Sequence, residues 1–348
     1  MEFRDFFLEQ MERHPAMEAR DAVKLCYQAA FGAEHLLQDR EAAYRYLKEE
    51  YDALEADFCP LYEQIHSDMC RVSLAAWKRE QMPLEWLFQM FAETAANPPK
   101  QGEQVFRECM DTVERLVEEH AVHITVEEWK GFLSGYPQKR PEAVHHSENY
   151  RNREHPAYRL VCSRFLRVLP ILRAIAHMPQ EMKIVALDGR CASGKTTLAQ
   201  QLSKVTGAGV VHMDDFFLPA KLRTEARLAE PGGNVHYERF TEEVLNTLKD
   251  PRAFRYRCFD CSRMNFGEER KIPEGSLRIV EGAYSCHPVF GEYMGLSVFC
   301  DVEPQEQLRR IERRDGVEML KSFQNRWIPM EEQYIQHFQI SERADLVL

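Results

Sequence analysis

The chain has 348 residues, of which 44% are hydrophobic and 29% charged, and a formal net charge of −11. That is a globular composition, long enough for two domains with separate cores, and its acidity argues against a general nucleic-acid binder, which would need clustered Lys and Arg. No run reaches the roughly 18 apolar residues of a membrane helix, and the opening MEFRDFFLEQMERH lacks the basic and apolar regions of a signal peptide, so a cytoplasmic protein without a membrane partner is expected.

From residue 2 to about 178 the apolar residues recur at helical spacing. Ala22, Leu25, Cys26 and Ala29 form one stripe, and Phe106, Cys109, Val113 and Leu116 another. Further helices are expected over 39–57, 70–80, 83–96, 125–134 and 156–177, separated by Gly32, Pro60, Pro83, the Asn97-Pro98-Pro99 run and Gly135 to Pro137. Residues 1–178 therefore read as an all-α domain whose role the sequence does not name. One segment in it stands out: PEAVHHSENYRNREHPAYR, residues 141–159, gathers His145, His146, His155, Tyr150, Tyr158, Arg151, Arg153 and Arg159. It reads either as a site for an anion or metal or as a polar stretch that docks domains. His35 and His66 read as lone histidines.

The boundary is expected at His177 to Glu181, where Pro179 disfavours further helix. Residues 179–348 change rhythm. Strands are expected over 183–187, 210–213, 277–280, 296–300 and 344–348, and helices over 195–205, 237–249, 304–314 and 318–337. The alternation implies a largely parallel sheet with helices on both faces.

After the first of these strands comes LDGRCASGKTTLAQQL. Gly189, Gly194, Lys195 and Thr196 satisfy G-x-x-x-x-G-K-[ST] between a buried strand and a helix, the context in which backbone N–H groups curl around phosphates. Gly189, Ala192, Ser193, Gly194, Lys195, Thr196 and Thr197 are thus the candidates for binding a nucleotide cofactor, with Lys195 neutralising phosphate charge and the Thr196 hydroxyl a ligand for Mg²⁺. Asp214 and Asp215 end the next strand, where a carboxylate can take the proton of an attacking hydroxyl or hold Mg²⁺. The ten cysteines are scattered and read as reduced thiols; Cys258 and Cys261 form a C-x-x-C that reads as coincidence.

Together these residues resemble the P-loop small-molecule kinases that include uridine kinase, phosphoribulokinase and pantothenate kinase. The matching parts are Gly189 to Thr197, Asp214-Asp215-Phe216-Phe217, Val280-Glu281-Gly282, the strand ending at Asp301, LRRIERRDG at 308–316 and the closing Ala344 to Val347. The resemblance implies a P-loop kinase fold, Asp214 as catalytic base, Glu281 as an organiser of Mg²⁺, and Arg310, Arg313 and Arg314 as a lid over the migrating phosphoryl group. It covers only residues 179–348. The acceptor side departs from uridine kinase: Asn234-Val235-His236-Tyr237-Glu238-Arg239-Phe240 has histidine at the key aspartate, and Phe259-Asp260-Cys261-Ser262-Arg263 lacks a histidine. Asp215, His236, Tyr237, Arg239, Asp260 and Arg263 are the acceptor-side candidates. The expected function is transfer of the γ-phosphate of ATP to a hydroxyl of a small metabolite, nucleoside or sugar-like. The alternative is a nucleotide-gated regulator with the helical domain as effector. Self-association is left open.

Overall fold

The computed structural model describes residues 2–33, 37, 39–137, 140–179 and 183–348. His35, and Gln180 and Glu181 of the expected boundary, lie outside the described residues. The chain divides into two compact units, Met1–Leu166 and Arg167–Leu348.

The first unit contains α1 (Phe3–Arg13), α2 (Ala19–Phe31), α3 (Arg40–Ala53), β1 (Tyr62–His66), β2 (Met69–Ser73), α4 (Leu74–Arg79), α5 (Leu84–Ala96), α6 (Gly102–Glu118), α7 (Val126–Ser134), α8 (Glu148–Glu154) and β3 (Tyr158–Cys162). Helix α2 packs on α6, and the apolar stripes read from the sequence are buried on both. The unit is mainly helical, as the spacing predicts, with one addition: β1, β2 and β3 form a small antiparallel sheet in that order. Two expected helices give way to it. The run 70–80 begins as central strand β2, and helix starts only where the Ser73 hydroxyl accepts the Ala76 N–H at 3.2 Å. The run 156–177 opens as β3, so its helix begins at Leu169. Short apolar runs carry no period of their own, and pairing across the sheet decides between strand and helix.

The second unit contains α9 (Leu169–His177), β4 (Ile184–Gly189), α10 (Lys195–Thr206), β5 (Gly209–His212), α11 (Glu225–Ala229), α12 (Tyr237–Phe240), α13 (Asn246–Leu248), β6 (Phe254–Asp260), β7 (Asn265–Ile272), β8 (Arg278–Glu281), β9 (Leu296–Cys300), α14 (Pro304–Ser322), α15 (Ile328–Phe338), α16 (Ile340–Arg343) and β10 (Leu346–Val347). Helix α9, which the sequence reading placed before the boundary, groups with this unit. Five strands form a parallel sheet in the order β10-β9-β4-β8-β5. Every residue of β4 and β8 is buried, as strands covered on both faces require. The chain leaves β4 for the β5 edge, returns to β8, and then crosses to β9 on the far side of β4. That reversal opens a crevice at the carboxyl ends of the strands, beside β4. Strands β6 and β7 pair separately as an antiparallel hairpin, which the sequence reading did not include.

Candidate active site

The loop from Gly189 to Lys195 leaves β4 at the reversal point. Gly189 has φ +131°, and a Cβ there would collide with the carbonyl of Cys300 on neighbouring β9, so glycine alone allows the loop to turn away this close to the sheet. The loop backbone then leads into the amino terminus of α10, with Lys195 as its first residue. Lys195 Nζ donates to the carbonyls of Gly189 and Arg190, both at 2.8 Å, folding the amine back across the loop. Ser193 is fully buried and its hydroxyl has no partner among the described residues. An orphaned buried hydroxyl in a glycine loop at a helix amino terminus suits a phosphate oxygen.

Three strand ends converge on this loop. Glu281 closes β8 and is buried. Its carboxylate accepts from the Thr196 hydroxyl at 3.2 and 3.3 Å and pairs with the Nδ1 of His212 at the end of β5. Asp214 lies in the short turn Met213–Phe216 that follows β5. Water reaches its side chain, which is exposed by surface area, but protein crowds the cleft around it. That crowding, and then the Glu281 carboxylate, push its pKa above the usual carboxylate value. The hydroxyl of Thr196 with the carboxylates of Glu281 and Asp214 is a set of hard oxygen donors that fits Mg²⁺. Among the described residues no group of three or more His, Cys, Asp or Glu side chains could hold a metal by itself. An ion there would draw its remaining ligands from water and phosphate, as Mg²⁺ usually does.

The expected lid arginines lie on α14, before a break at Gly316, where φ is +83°. Arg310 reaches the loop: its Nη1 donates to the Ala192 carbonyl at 3.1 Å and its Nε to Glu306 at 2.7 Å. Arg314 bonds Asp315 at 2.8 and 2.9 Å and interacts favourably with the charge of Asp214. Arg313 is exposed. Thr197 is exposed in the first turn of α10.

The acceptor-side candidates are less uniform. Asp215 accepts from Tyr256 Oη at 2.9 Å and Arg270 Nε at 3.0 Å. Arg239 is buried, stacks on Phe216 at 4.2 Å and donates to the carbonyls of Asp215 and Arg257. His236 caps α12, accepting from the Arg239 N–H at 3.3 Å, and Tyr237 lies under the Arg227 guanidinium at 4.0 Å. Asp260 folds the β6–β7 turn by accepting from Ser262 N and Oγ and Arg263 N. Arg263 is exposed.

Several supporting residues had no motif. Asp188 is buried at the end of β4 and accepts from the N–H groups of Gly189, Tyr284 and Cys286 and from Tyr334 Oη, all within 3.1 Å. Burial pushes its pKa up against those four donors, which pin the loops after β4 and β8 to α15. The signal was available: an acid at the end of an apolar strand. Arg190 of the loop bonds Glu332 of α15 at 2.7 and 3.1 Å, and Cys191 N–H donates to Glu331 at 2.9 Å.

In the first unit, the 141–159 segment turns its middle inward, while His145, Arg151, Arg153 and His155 stay exposed. His146 Nδ1 pairs with Asp21 at 2.7 Å and its Nε2 with Tyr158 Oη at 2.8 Å, while the ring stacks on Tyr150 with centroids 4.4 Å apart. Tyr158 also accepts from Gln28 at 2.9 Å and lies under the Arg71 guanidinium at 4.5 Å. His146 is spent on this network.

No protein-family model and no curated protein sequence matches the chain. About half of it is similar to solved kinase structures. A possible uridine kinase from Bacillus stearothermophilus is 21% identical over 52% of this chain and 97% of its own, with a TM-score of 0.42. A shikimate kinase from Bacteroides thetaiotaomicron is 17% identical over 48% of this chain and 85% of its own, with a TM-score of 0.26. These values mark distant similarity to kinase folds, and the chemistry has to be read from this chain's own side chains.

Proposed function

We propose that residues 179–348 form an ATP- and Mg²⁺-dependent phosphotransferase acting on a hydroxyl group of a small metabolite, with a nucleoside or sugar-like alcohol as the leading class. The observation that carries this reading is the convergence of Lys195, Thr196, Glu281 and Asp214 at the carboxyl ends of three adjacent parallel strands, with an orphaned Ser193 hydroxyl in the loop between them. A regulator that merely senses nucleotide needs the loop but has no use for a carboxylate base beside it.

In this reading the backbone N–H groups from Ala192 to Thr196 hold the β- and γ-phosphates, and Lys195 exchanges its two carbonyl partners for phosphate oxygens. Thr196, Glu281 and Asp214 would hold Mg²⁺, which would supply neutralisation of phosphate charge. Asp214 accepts the proton of the acceptor hydroxyl as its oxygen bonds to the γ-phosphorus, the bond to the β–γ bridging oxygen breaks, and ADP leaves. Arg310, Arg313 and Arg314 on α14 close over the transferring group and match the charge on its oxygens.

The test is ADP release by the full chain with ATP and Mg²⁺ across nucleosides, pentoses and sugar acids, for wild type and Asp214→Ala. Acceptor-dependent release that vanishes in Asp214→Ala supports the reading. Tight ATP binding without turnover on any acceptor would replace it with nucleotide sensing.

A further inference from the structure

Helix α9 stands ahead of the segment that resembles a kinase, yet it groups with the second unit and packs on β9. Its apolar residues Leu169, Ile171, Leu172 and Ile175 are buried. Just before it the chain makes a short 3-10 turn, Ser163–Val168. Val168 and Leu169 are buried, while Arg167 beside them is exposed. The apolar neighbours anchor this stretch and leave the arginine turned outward.

That arginine lies at the phosphate loop. A methyl group built on Gly194 would sit 3.6 Å from Arg167 Nη1 and, apart from the loop residues on either side, would meet no other atom within 4 Å among the described residues. One side of Gly194 is therefore open, and a guanidinium borders the opening. Burial raises the pKa of the Cys300 thiol at the end of β9 to about 11, and the charges of Lys195 and Arg167 oppose it, so both cations act at the same strand end.

Other arginines around the loop already hold carboxylates. Arg190 holds Glu332 and Asp301, Arg310 holds Glu306, and Arg314 holds Asp315. Arg167 has no such partner among the described residues. An uncommitted guanidinium beside a loop whose amides converge on an anion has its donor fork free for phosphate oxygens. Its side of the sheet matters too. Asp214 and Glu281, which belong to the transfer step, follow β5 and close β8, on one side of β4; β9 lies on the other. A cation on the β9 side is placed to act on the part of the nucleotide that does not transfer.

We propose that Arg167 is a nucleotide-binding residue, whose guanidinium completes the phosphate loop from the β9 side by donating to a phosphate oxygen common to ATP and ADP. The nucleotide site then begins upstream of residue 179. The proposal rests on the phosphotransferase reading, in that the loop must hold a nucleotide, and adds to it a residue outside the kinase-like segment.

Calorimetric titration of the full chain with ATP and with ADP, each with Mg²⁺, tests it. In Arg167→Met the Kd for both nucleotides should rise by about tenfold, as expected for one charge-assisted hydrogen bond at an exposed site. Arg167→Lys, which keeps the charge and loses the planar fork, should recover part of the loss. Since Arg167 is exposed, the Tm of nucleotide-free Arg167→Met should match wild type, which separates lost binding from a damaged loop. With any acceptor that supports turnover, the KM for ATP should rise while kcat stays within about twofold. An unchanged Kd in Arg167→Met, or a loss confined to ATP, would overturn the assignment and leave the phosphotransferase reading standing. A wild-type chain that binds neither nucleotide would overturn both.

Discussion

The hydroxyl of Thr196 lies 3.2 and 3.3 Å from the two carboxylate oxygens of Glu281, which joins the first turn of α10 to the end of β8. Neither residue is near the other in sequence, and the pairing exists because β4 and β8 are neighbours in the sheet. If this is the Mg²⁺ seat, Glu281→Gln should keep ATP bound through the loop and lose the ion. We expect kcat to fall by about 10²–10³, with more Mg²⁺ needed for half-maximal rate. A Mg²⁺ titration of the rate checks this, and an unchanged midpoint would remove Glu281 from the ion's surroundings.

Asp214 titrates under the influence of its cleft and of Glu281, both of which raise its pKa. Only the ionised carboxylate can take a proton. Without Mg²⁺, Asp214 should therefore take up its proton at a pH above the ordinary aspartate value of about 3.9, and bound Mg²⁺ should oppose this. Glu281→Gln removes the like charge, so in the metal-free protein the Asp214 titration should move to lower pH. NMR titration of the Asp214 carboxyl in metal-free wild type and Glu281→Gln measures the shift, and Asp214→Asn should lose about 10²–10⁴ in rate.

The loop half of the proposed site was legible because its residues are local in sequence: Gly189 to Thr197 occupy one loop and one helical turn. Asp214 and Glu281 were legible through strand ends, where burial stops and acids appear. The partners of those residues were not. His212 meets Glu281, and Glu331 and Glu332 meet the loop, only through tertiary packing. The β6–β7 hairpin was missed because β7, NFGEERKI, is exposed along nearly its whole length and so shows neither an apolar run nor clean alternation. In the first unit, β2 and β3 were read as helix for the opposite reason, since strands buried within a packed sheet look like helix when short.

The loop is also held from outside. Arg190 forms a two-point bond to Glu332, and Glu331 takes the Cys191 N–H. Pre-ordering a phosphate loop in this way lowers the entropy lost on binding. Glu332→Ala should weaken ATP binding by about three- to tenfold and cost about 1 kcal/mol of stability or less, because the pair is partly solvated. Calorimetric titration with ATP reads the first, and a loss confined to stability would show that the tether is structural only.

In the first unit the Asp21–His146–Tyr158 chain sets a pH limit on folding. Burial holds the His146 pKa down at about 4, against an ordinary 6.5, with Lys24 and Arg71 adding to the effect and Asp21 opposing it. Asp21 is also buried, which works against its charge, but the donors His146 and Ser147 keep its pKa below 3.8, so it remains ionised throughout this window. Between pH 6.5 and 4 the unfolded imidazole binds a proton that the folded one refuses. Stability must then fall with pH in that interval, by up to about 1.4 kcal/mol per unit, and level off below the folded value. Because the chain has two units, a single unfolding curve would blur the effect. Hydrogen exchange of the α2 amides isolates it: their protection should drop from pH 6.5 to 4.5 beyond the intrinsic change in exchange rate. His146→Phe keeps the stack on Tyr150 and removes the imidazole titration, and because Asp21 then loses a donor that lowers its pKa, protection should no longer fall as pH drops over the same range. Equal pH dependence in the two proteins would mean that another group governs acid stability in this unit.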